Sequence, residues 1–333
     1  MDRFCRALGF LQDGLLRFLT GRHVDAGLED AACRICGGSL VYQWTRRVMH
    51  DKYQAKYYEC SACRSLQVIP NWLDEAYVNE NLPLVINPDR GRFARNFSAF
   101  NYFVALCQAG VFQHQSRTLD FGGGYGLLTQ MLRYAGHEAW QYDPYVPTPF
   151  LASDYCLRDF RALADGTYDA VFALEVFEHL TQPQTTLDSL ARILKPEGTL
   201  MLSTQLYESG VHDQNWHYLS PDAGQHVTFY SRSAVEQLAR QAGFQSVGYF
   251  PSDAGFCILM SRLAAEALEE KLAQALQTLG DDARLGQIVR AWDLISQRFA
   301  QVLSRPKVTR LGPVPMGARP STTELAALTR KAS

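Results

Sequence analysis

Thr118-Leu119-Asp120-Phe121-Gly122-Gly123-Gly124-Tyr125-Gly126 is a short apolar strand that runs into a glycine turn and then a helix. The helix extends over Tyr125–Ala135, with Leu127, Leu128, Met131 and Leu132 on one side. Glycines allow close approach of the backbone to a ligand, and the helix N-terminus favours anionic groups. Nicotinamide and flavin domains use Gly-x-Gly-x-x-Gly in the same context, so the turn alone signals a nucleotide-like ligand and no more. Here the spacing is Gly-x-Gly-x-Gly, with Asp120 two residues before the first glycine. Asp143 ends the next expected strand, Glu138–Tyr142, where a carboxylate can accept both hydroxyls of a ribose.

The alternation continues outward. Tyr155–Leu157, Tyr168–Leu174, Thr199–Ser203, Gln245–Phe250 and Gly255–Met260 read as strands. Between and before them lie helices at Arg92–Ala109, at Thr185–Leu194 and from a Ser231 or Ser233 cap to Ala242. Lys195-Pro196-Glu197-Gly198 stops the second of these, and Gly243 closes the third in the usual position after a C-cap. Strands alternating with helices of this length predict a mainly parallel, doubly wound α/β sheet.

With these residues in order, the stretch 90–260 resembles the class I S-adenosylmethionine-dependent methyltransferases. Asp120-x-Gly122-x-Gly124-x-Gly126 matches the family's first motif, and Asp143 its ribose-binding acid. Asp159-Phe160 falls where an acid and an apolar residue contact the adenine. Tyr168–Leu174 matches the family's fourth strand, and Glu175-Val176-Phe177-Glu178-His179-Leu180 the segment after that strand; Leu194–Leu200 matches the turn into strand five. The resemblance implies a seven-stranded sheet that binds S-adenosylmethionine through Asp120, Gly122, Gly124, Gly126, Asp143, Asp159, Phe160 and Leu174. It also places Glu175, Glu178 and His179 at the carboxyl end of a buried strand, where α/β sheets bind ligands. If that segment is helical, Glu178 and His179 point about 100° apart, so only one of them is expected to face a substrate.

Cys33-x2-Cys36 and Cys60-x2-Cys63 are two knuckles with 23 residues between them. Two such turns across a small sheet can converge four thiolates on one tetrahedral zinc ion. Gly37-Gly38 permits the tight backbone after the first knuckle, and short β-type runs at Ser39–Trp44, Lys56–Glu59 and Ser65–Ile69 supply the sheet. Four thiolates leave no open position, so the site is expected to be structural. Cys5, Cys107, Cys156 and Cys257 have apolar or aromatic neighbours and read as bystander thiols.

The acceptor is less sharply written. No Asn/Asp-Pro-Pro-Tyr-type sequence comes after strand four, which argues against methylation of a base amine in nucleic acid. The aromatic, histidine-bearing loop Asn215–Tyr230 is expected to cover the reacting end of the cofactor. Together with the N-terminal zinc ribbon, it makes the chain resemble the C-methyltransferases of nucleotide-linked keto-sugars. That family uses a Tyr-x-Glu-His run as its base; here the match is Ala223-Gly224-Gln225-His226, which keeps the histidine. The family's second α/β domain is absent from the helical stretch after Met260. The resemblance therefore implies a small polar acceptor, a sugar or nucleotide-linked sugar, methylated on oxygen or carbon. His226 is the candidate base, and His179 and Glu175 are further catalytic candidates.

Composition sets the outer limits. The 333 residues carry a net charge of −2, so no global basic field draws the chain to nucleic acid or anionic lipid. The ribbon is a local exception. Arg34, Arg46, Arg47, Lys52, Lys56 and Arg64 outweigh Asp51 and Glu59, and keep an RNA methyltransferase open as the alternative, beside a non-catalytic scaffold that binds the cofactor. No apolar run reaches the roughly 18 residues needed to span a bilayer, and the first 20 residues lack a signal-peptide core, so a cytoplasmic protein is expected. The expected organisation is an amphipathic helix over 1–30, the zinc ribbon over 31–70 and the cofactor domain over 90–260. A helical hairpin over 261–304 and a proline-rich flexible tail over 305–333 complete the chain. The stripe Leu268, Leu272, Leu276 and Leu279 in the hairpin suits packing on the core or pairing of two copies as a homodimer.

Overall fold

The computed structural model describes residues 32–73, 76, 91–113, 115–146, 153–157, 159–160, 163–252 and 255–281. The expected helix over 1–30, the second half of the hairpin and the tail lie outside the described residues.

Among the described residues, six strands make the larger sheet: β4 (Arg117–Phe121), β5 (Glu138–Tyr142), β6 (Tyr168–Leu174), β7 (Leu194–Thr204), β9 (Ser246–Ser252) and β10 (Gly255–Ser261). Their order is β5-β4-β6-β7-β10-β9. The first four run parallel, while β10 lies antiparallel to both β7 and β9. The expectation of seven strands needs correcting at Tyr155–Leu157. A 3-10 turn occupies Ser153–Tyr155, and the edge beside β5 receives a single bridge, Gln141 to Cys156, among the described residues. One bridge, flanked by a turn, is too little ladder for a strand.

Both faces of the sheet are covered, and β6 shows why. Ala170 and Phe172 point to one side, Val171 and Ala173 to the other, and all four are fully buried. This is the continuous apolar run of a central parallel strand. On one face pack α1 (Arg92–Gln108), α2 (Leu127–Tyr134) and α5 (Ala265–Asp281). On the other pack α3 (Pro183–Ile193) and α4 (Arg232–Gln241), whose N-cap Ser231 accepts from the Ala234 amide at 3.0 Å. Near the start of β7 the ladder to β6 jumps from Leu194 to Thr199, so Lys195-Pro196-Glu197-Gly198 bulges out of register.

α5 uses its apolar stripe inside the chain. Leu268 and Ala275 are buried, with Leu272 and Leu279 packed beside them, whereas Leu276 is 45% exposed. The helical period has moved the inward position from Leu276 to Ala275. Lys271 donates to the carbonyls of Ala109 and Gly110, both at 3.1 Å, and so closes the end of α1.

The cysteine-bearing segment forms β1 (Leu40–Val48), β2 (Tyr53–Cys60) and β3 (Leu66–Val68). Its sheet is completed by a strand far along the chain: β8 (Thr228–Phe229) pairs antiparallel with β3, Leu66 opposite Phe229 and Gln67 opposite Thr228. Cys33, Ile35, Cys60 and Cys63 belong to the same apolar cluster as Val171, Leu187 and Leu238. Ser231 and Ser233 at the start of α4 both donate to the Cys63 carbonyl. The ribbon is therefore built into the larger fold.

Candidate active site

The carboxyl ends of β4, β5, β6 and β7 open into a cavity of about 580 Å³. Its floor is the turn after β4. Gly122 and Gly124 have φ of +72° and +56°, a backbone that side-chain-bearing residues rarely adopt. A Cβ at Gly122 would meet Val176 at 2.6 Å, while one at Gly124 would project into open space. The turn is thus closed on the protein side and bare on the cavity side, where backbone can approach a ligand. Gly126 stands back from the cavity lining; it is the left-handed N-cap of α2 and donates to the Gly123 carbonyl at 2.9 Å.

Asp143 holds this turn from β5. Its Oδ2 accepts from the Gly124 amide at 2.9 Å, and its Oδ1 from the amides of Tyr145 at 2.8 Å and Val146 at 3.0 Å. Burial raises its carboxyl above the usual range. A carboxylate has about four acceptor positions, so three amides leave room for a ribose hydroxyl. Asp120 lies beneath the turn, only 3% exposed, and accepts from the Thr129 hydroxyl at 3.3 Å. Burial lifts its carboxyl to about 7.

Of the residues expected to bind the cofactor, Asp120, Gly122, Gly124, Asp143 and Leu174 line this cavity. Asp159 and Phe160 do not, among the described residues. Asp159 is exposed, and Phe160 is buried behind the wall against Phe121 and Tyr142, with ring centroids 5.1 and 5.4 Å away. Tyr145, Val146 and Val176 line the wall instead. No motif spacing marks these three in the sequence.

The opposite end gathers Glu175, Glu178, His179, Tyr218 and His226. Glu175 has φ of +53°, costly for a residue with a side chain, and its amide donates to Ser203. Glu178 and His179 both line the cavity, contrary to the helical expectation. Phe177–His179 is a single 3-10 turn set into the wall, so its residues are not divided between an inner and an outer helix face. The Tyr218 hydroxyl lies 3.1 Å from Glu175 Oε2, 2.8 Å from Glu178 Oε1 and 3.0 Å from the Thr204 hydroxyl. Burial, reinforced for Glu175 by repulsion from Glu178, lifts each carboxyl to about 7. Its own burial and the same carboxylates keep Tyr218 a neutral phenol.

The two histidines meet edge to face, ring centroids 4.9 Å apart. His179 Nδ1 lies 3.1 Å from the Gln225 carbonyl, and His226 Nδ1 lies 2.7 Å from the Tyr218 carbonyl. A carbonyl only accepts, so Nδ1 carries the proton in both rings and Nε2 carries the lone pair. Burial lowers the proton affinity of both, His226 to about 3. Both therefore stay neutral at physiological pH.

The segment expected to cover the site is packed rather than loose. Trp216, Tyr218, Leu219, Val227 and Phe229 are buried against Tyr57 and Trp72 of the ribbon side. The Trp72 indole donates to the Gly224 carbonyl at 2.7 Å. Tyr218, the residue that touches both glutamates, stands in the sequence only as one aromatic in a polar loop.

The four cysteines also converge, their sulfurs all within 4.8 Å of one another. A Cβ on Gly38 would come within 3.0 Å of the Cys60 sulfur and 3.2 Å of the Cys36 sulfur, so a side chain there would crowd the cradle. The Cys63 thiol beside Cys33 draws the latter's pKa down, and the same contact, with burial, pushes Cys63 up. The ribbon's cations are largely engaged within the protein. Arg34 donates to Val68, Val227 and Thr228, Arg46 to the Gln214 carbonyl, and Arg64 pairs with buried Glu59 at 2.8 Å.

The family model for a methyltransferase domain matches residues 89–248, just under half of the chain. Residues 89–248 are a methyltransferase domain. The class takes its methyl group from S-adenosylmethionine, and the glycine turn with Asp143 is the part of this domain that suits such a donor. A ubiquinone biosynthesis O-methyltransferase of Methylococcus capsulatus is 27% identical over 160 residues, covering 40% of this chain and 68% of that one. One from Xanthomonas campestris is 34% identical over 102 residues, covering 27% of this chain; the match spans only 43% of that relative. Among solved structures, a 1,6-didemethyltoxoflavin N1-methyltransferase of Burkholderia thailandensis aligns at TM-score 0.45 and 15% identity, covering 62% of this chain and 93% of that one. No helix among the described residues is long and apolar enough to cross a membrane.

Proposed function

We propose that the chain methylates a hydroxyl oxygen of a small polar acceptor, a sugar or nucleotide-linked sugar. The observation that carries this reading is a single cavity with the glycine turn and Asp143 at one end and Glu175, His179, Tyr218 and His226 at the other. S-adenosylmethionine, when bound, supplies an electrophilic methyl group. Gly122, Gly124, Asp143 and Leu174 hold it, and the buried walls exclude water from the line of transfer. Arg92 and Arg95 also line the cavity, which suits an acceptor bearing phosphate. The relatives named as O-methyltransferases support oxygen as the target.

The acceptor hydroxyl must lose a proton. His226 is the base that the sequence suggests, but burial leaves it too weak a proton acceptor near neutral pH. Glu175, with its carboxyl lifted to about 7, takes that role in this reading, and Ser203 donates to its Oε1 at 2.8 Å to hold it. Zinc held by Cys33, Cys36, Cys60 and Cys63 serves structure only, in a protein of the reducing cytoplasm. The internal engagement of Arg34, Arg46 and Arg64 weighs against an RNA-binding ribbon.

The test is formation of S-adenosylhomocysteine from S-adenosylmethionine over a panel of sugars, nucleotide-linked sugars and phenols. Turnover with the first two classes is expected; turnover with phenols alone would sink the sugar reading. Glu175→Gln is expected to lower kcat by roughly 10²–10⁴ with donor binding retained. Full turnover in that variant would remove Glu175 as the base.

A further inference from the structure

A second cavity, of about 400 Å³, lies between the ribbon and the segment that follows β7. Trp44, Glu59 and Arg64 line it on the ribbon side, and Tyr207, Val211 and His212 on the other. Its volume is in the range of small-molecule sites, and neither the cysteine cradle nor the methyl transfer uses it.

The walls of this cavity are braced by contacts within the protein. Glu59 is only 5% exposed, and its carboxylate accepts from Tyr207 at 2.8 Å, Ser209 at 3.1 Å and Arg64 at 2.8 Å. His212 stacks on Trp216, with ring centroids 4.1 Å apart and planes 6° from parallel. Trp44 stacks on Tyr57, and its buried indole N–H has no acceptor among the described residues.

The polar groups of the cavity are of both kinds. A carboxylate has about four acceptor positions, so Glu59 keeps one beyond its three donors. Asp213 adds a second carboxylate. On the donor side, the Glu208 amide donates to His212 Nδ1 at 3.0 Å, so Nε2 carries that ring's proton. Arg64 is the other donor. Two carboxylates against one guanidinium disfavour an anion such as a nucleotide phosphate. A hydroxyl donates and accepts at once, so a polyol matches this mixed set. Trp44, Val41 and Val211, the last two 51% and 64% exposed, offer apolar surface to the carbon face of a sugar ring.

The segment after β7 also links the two cavities. Gln205 and His217 line the first, and their Nε2 atoms meet at 3.1 Å. Tyr207, in the wall of the second, is two residues from Gln205, at most roughly 7 Å along the chain. We infer that the second cavity is a saccharide site, which holds a sugar unit next to the one methylated in the first. The binding of saccharide stands by itself; the role as an acceptor subsite rests on the methyl-transfer reading.

The experiment uses full-length, zinc-loaded protein carrying ¹⁵N in its five tryptophans, titrated with maltose, lactose, cellobiose, their methyl monosaccharide glycosides and uridine. The indole signal of Trp44, identified by its loss in Trp44→Phe, is expected to shift with saccharides and to stay in place with uridine. Calorimetry is expected to show saccharide binding weakened at least about tenfold by Trp44→Leu, and equally by Val211→Arg at its exposed position, with native circular dichroism in both. In turnover, Val211→Arg is expected to raise KM for a disaccharide while leaving kcat and the KM of the matching methyl glycoside unchanged. An indole signal unmoved by every saccharide, or moved by uridine alone, would overturn the site, as would unchanged affinity in the folded variants. Saccharide binding with an unchanged disaccharide KM in Val211→Arg would overturn the subsite and leave the methyltransferase reading standing. A shifted Trp44 signal in a protein that methylates no sugar would sink that reading and leave the saccharide site in place.

Discussion

Arg34, the residue after the first cysteine of the ribbon, donates from its guanidinium to the Val227 carbonyl at 3.2 Å, one residue beyond His226. It also donates to the Thr228 hydroxyl at 2.8 Å and to the Val68 carbonyl. A knuckle of the ribbon thus grips the main chain that delivers a cavity histidine. Arg34→Ala is expected to cost roughly 2–4 kcal/mol of stability, because it strips charged hydrogen bonds from buried acceptors. Turnover should fall roughly 10- to 100-fold as His226 loses its placement. Thermal unfolding and steady-state kinetics measure the two effects, and an unchanged kcat would separate the ribbon from the site.

Loss of the zinc ion proposed for the four cysteines should be felt well beyond them. Cys33, Cys60 and Cys63 share an apolar cluster with Leu238 of α4 and Val171 of β6, and β3 is paired to β8. Cys60→Ser is expected to abolish one equivalent of zinc by atomic absorption and to lower a single unfolding transition. A separate, low-temperature transition for the ribbon with the rest of the melt unmoved would contradict this coupling.

Period and spacing made most of the larger sheet legible. The continuous apolar run Ala170, Val171, Phe172 and Ala173 is local, as are the Ser231 cap, the glycine turn and the two Cys-x-x-Cys pairs. What stayed hidden was non-local or short. Thr228–Phe229 is a two-residue strand with no periodicity, defined only by the distant β3 it joins. Tyr155–Leu157 has strand-like composition but finds a single bridge among the described residues. In the cavity, Tyr218 gains its meaning from two glutamates that its own neighbours in sequence do not foretell. Leu276 obeys the expected leucine spacing yet faces out, while Ala275 takes the buried position.

Asp120 carries a pH signature. Its carboxyl titrates at about 7 in the folded protein against 3.8 for the ordinary group, with burial as the main cause. Between those values the folded state binds more protons than the unfolded one. Its contribution to stability is therefore fully present below about pH 4 and lost as pH rises through 7, by up to a few kcal/mol. Asp120→Asn should flatten that part of the stability profile, measured by denaturant unfolding at successive pH values. An identical slope in the variant would assign the dependence to other groups.

Tyr218→Phe isolates the hydroxyl that joins the acceptor end of the cavity. That hydroxyl is within 3.1 Å of Glu175, Glu178 and Thr204, and one proton serves two carboxyls. The phenylalanine ring keeps the packing against Trp216, Phe229 and His226, which lie 5.4, 6.5 and 4.7 Å away between ring centroids. The change therefore removes polarity with little loss of volume. Leaving buried carboxyl oxygens short of a donor should cost roughly 1–3 kcal/mol, seen as a lower unfolding midpoint with an unchanged denaturant slope. Glu175 also loses the contact that aims its Oε2, so kcat should fall while the affinity for S-adenosylmethionine, set at the glycine turn and Asp143, stays within about twofold of wild type. A variant that weakens donor binding as much as turnover would show that the two ends of the cavity are not separable. Full activity would mean that Tyr218 is only a packing residue.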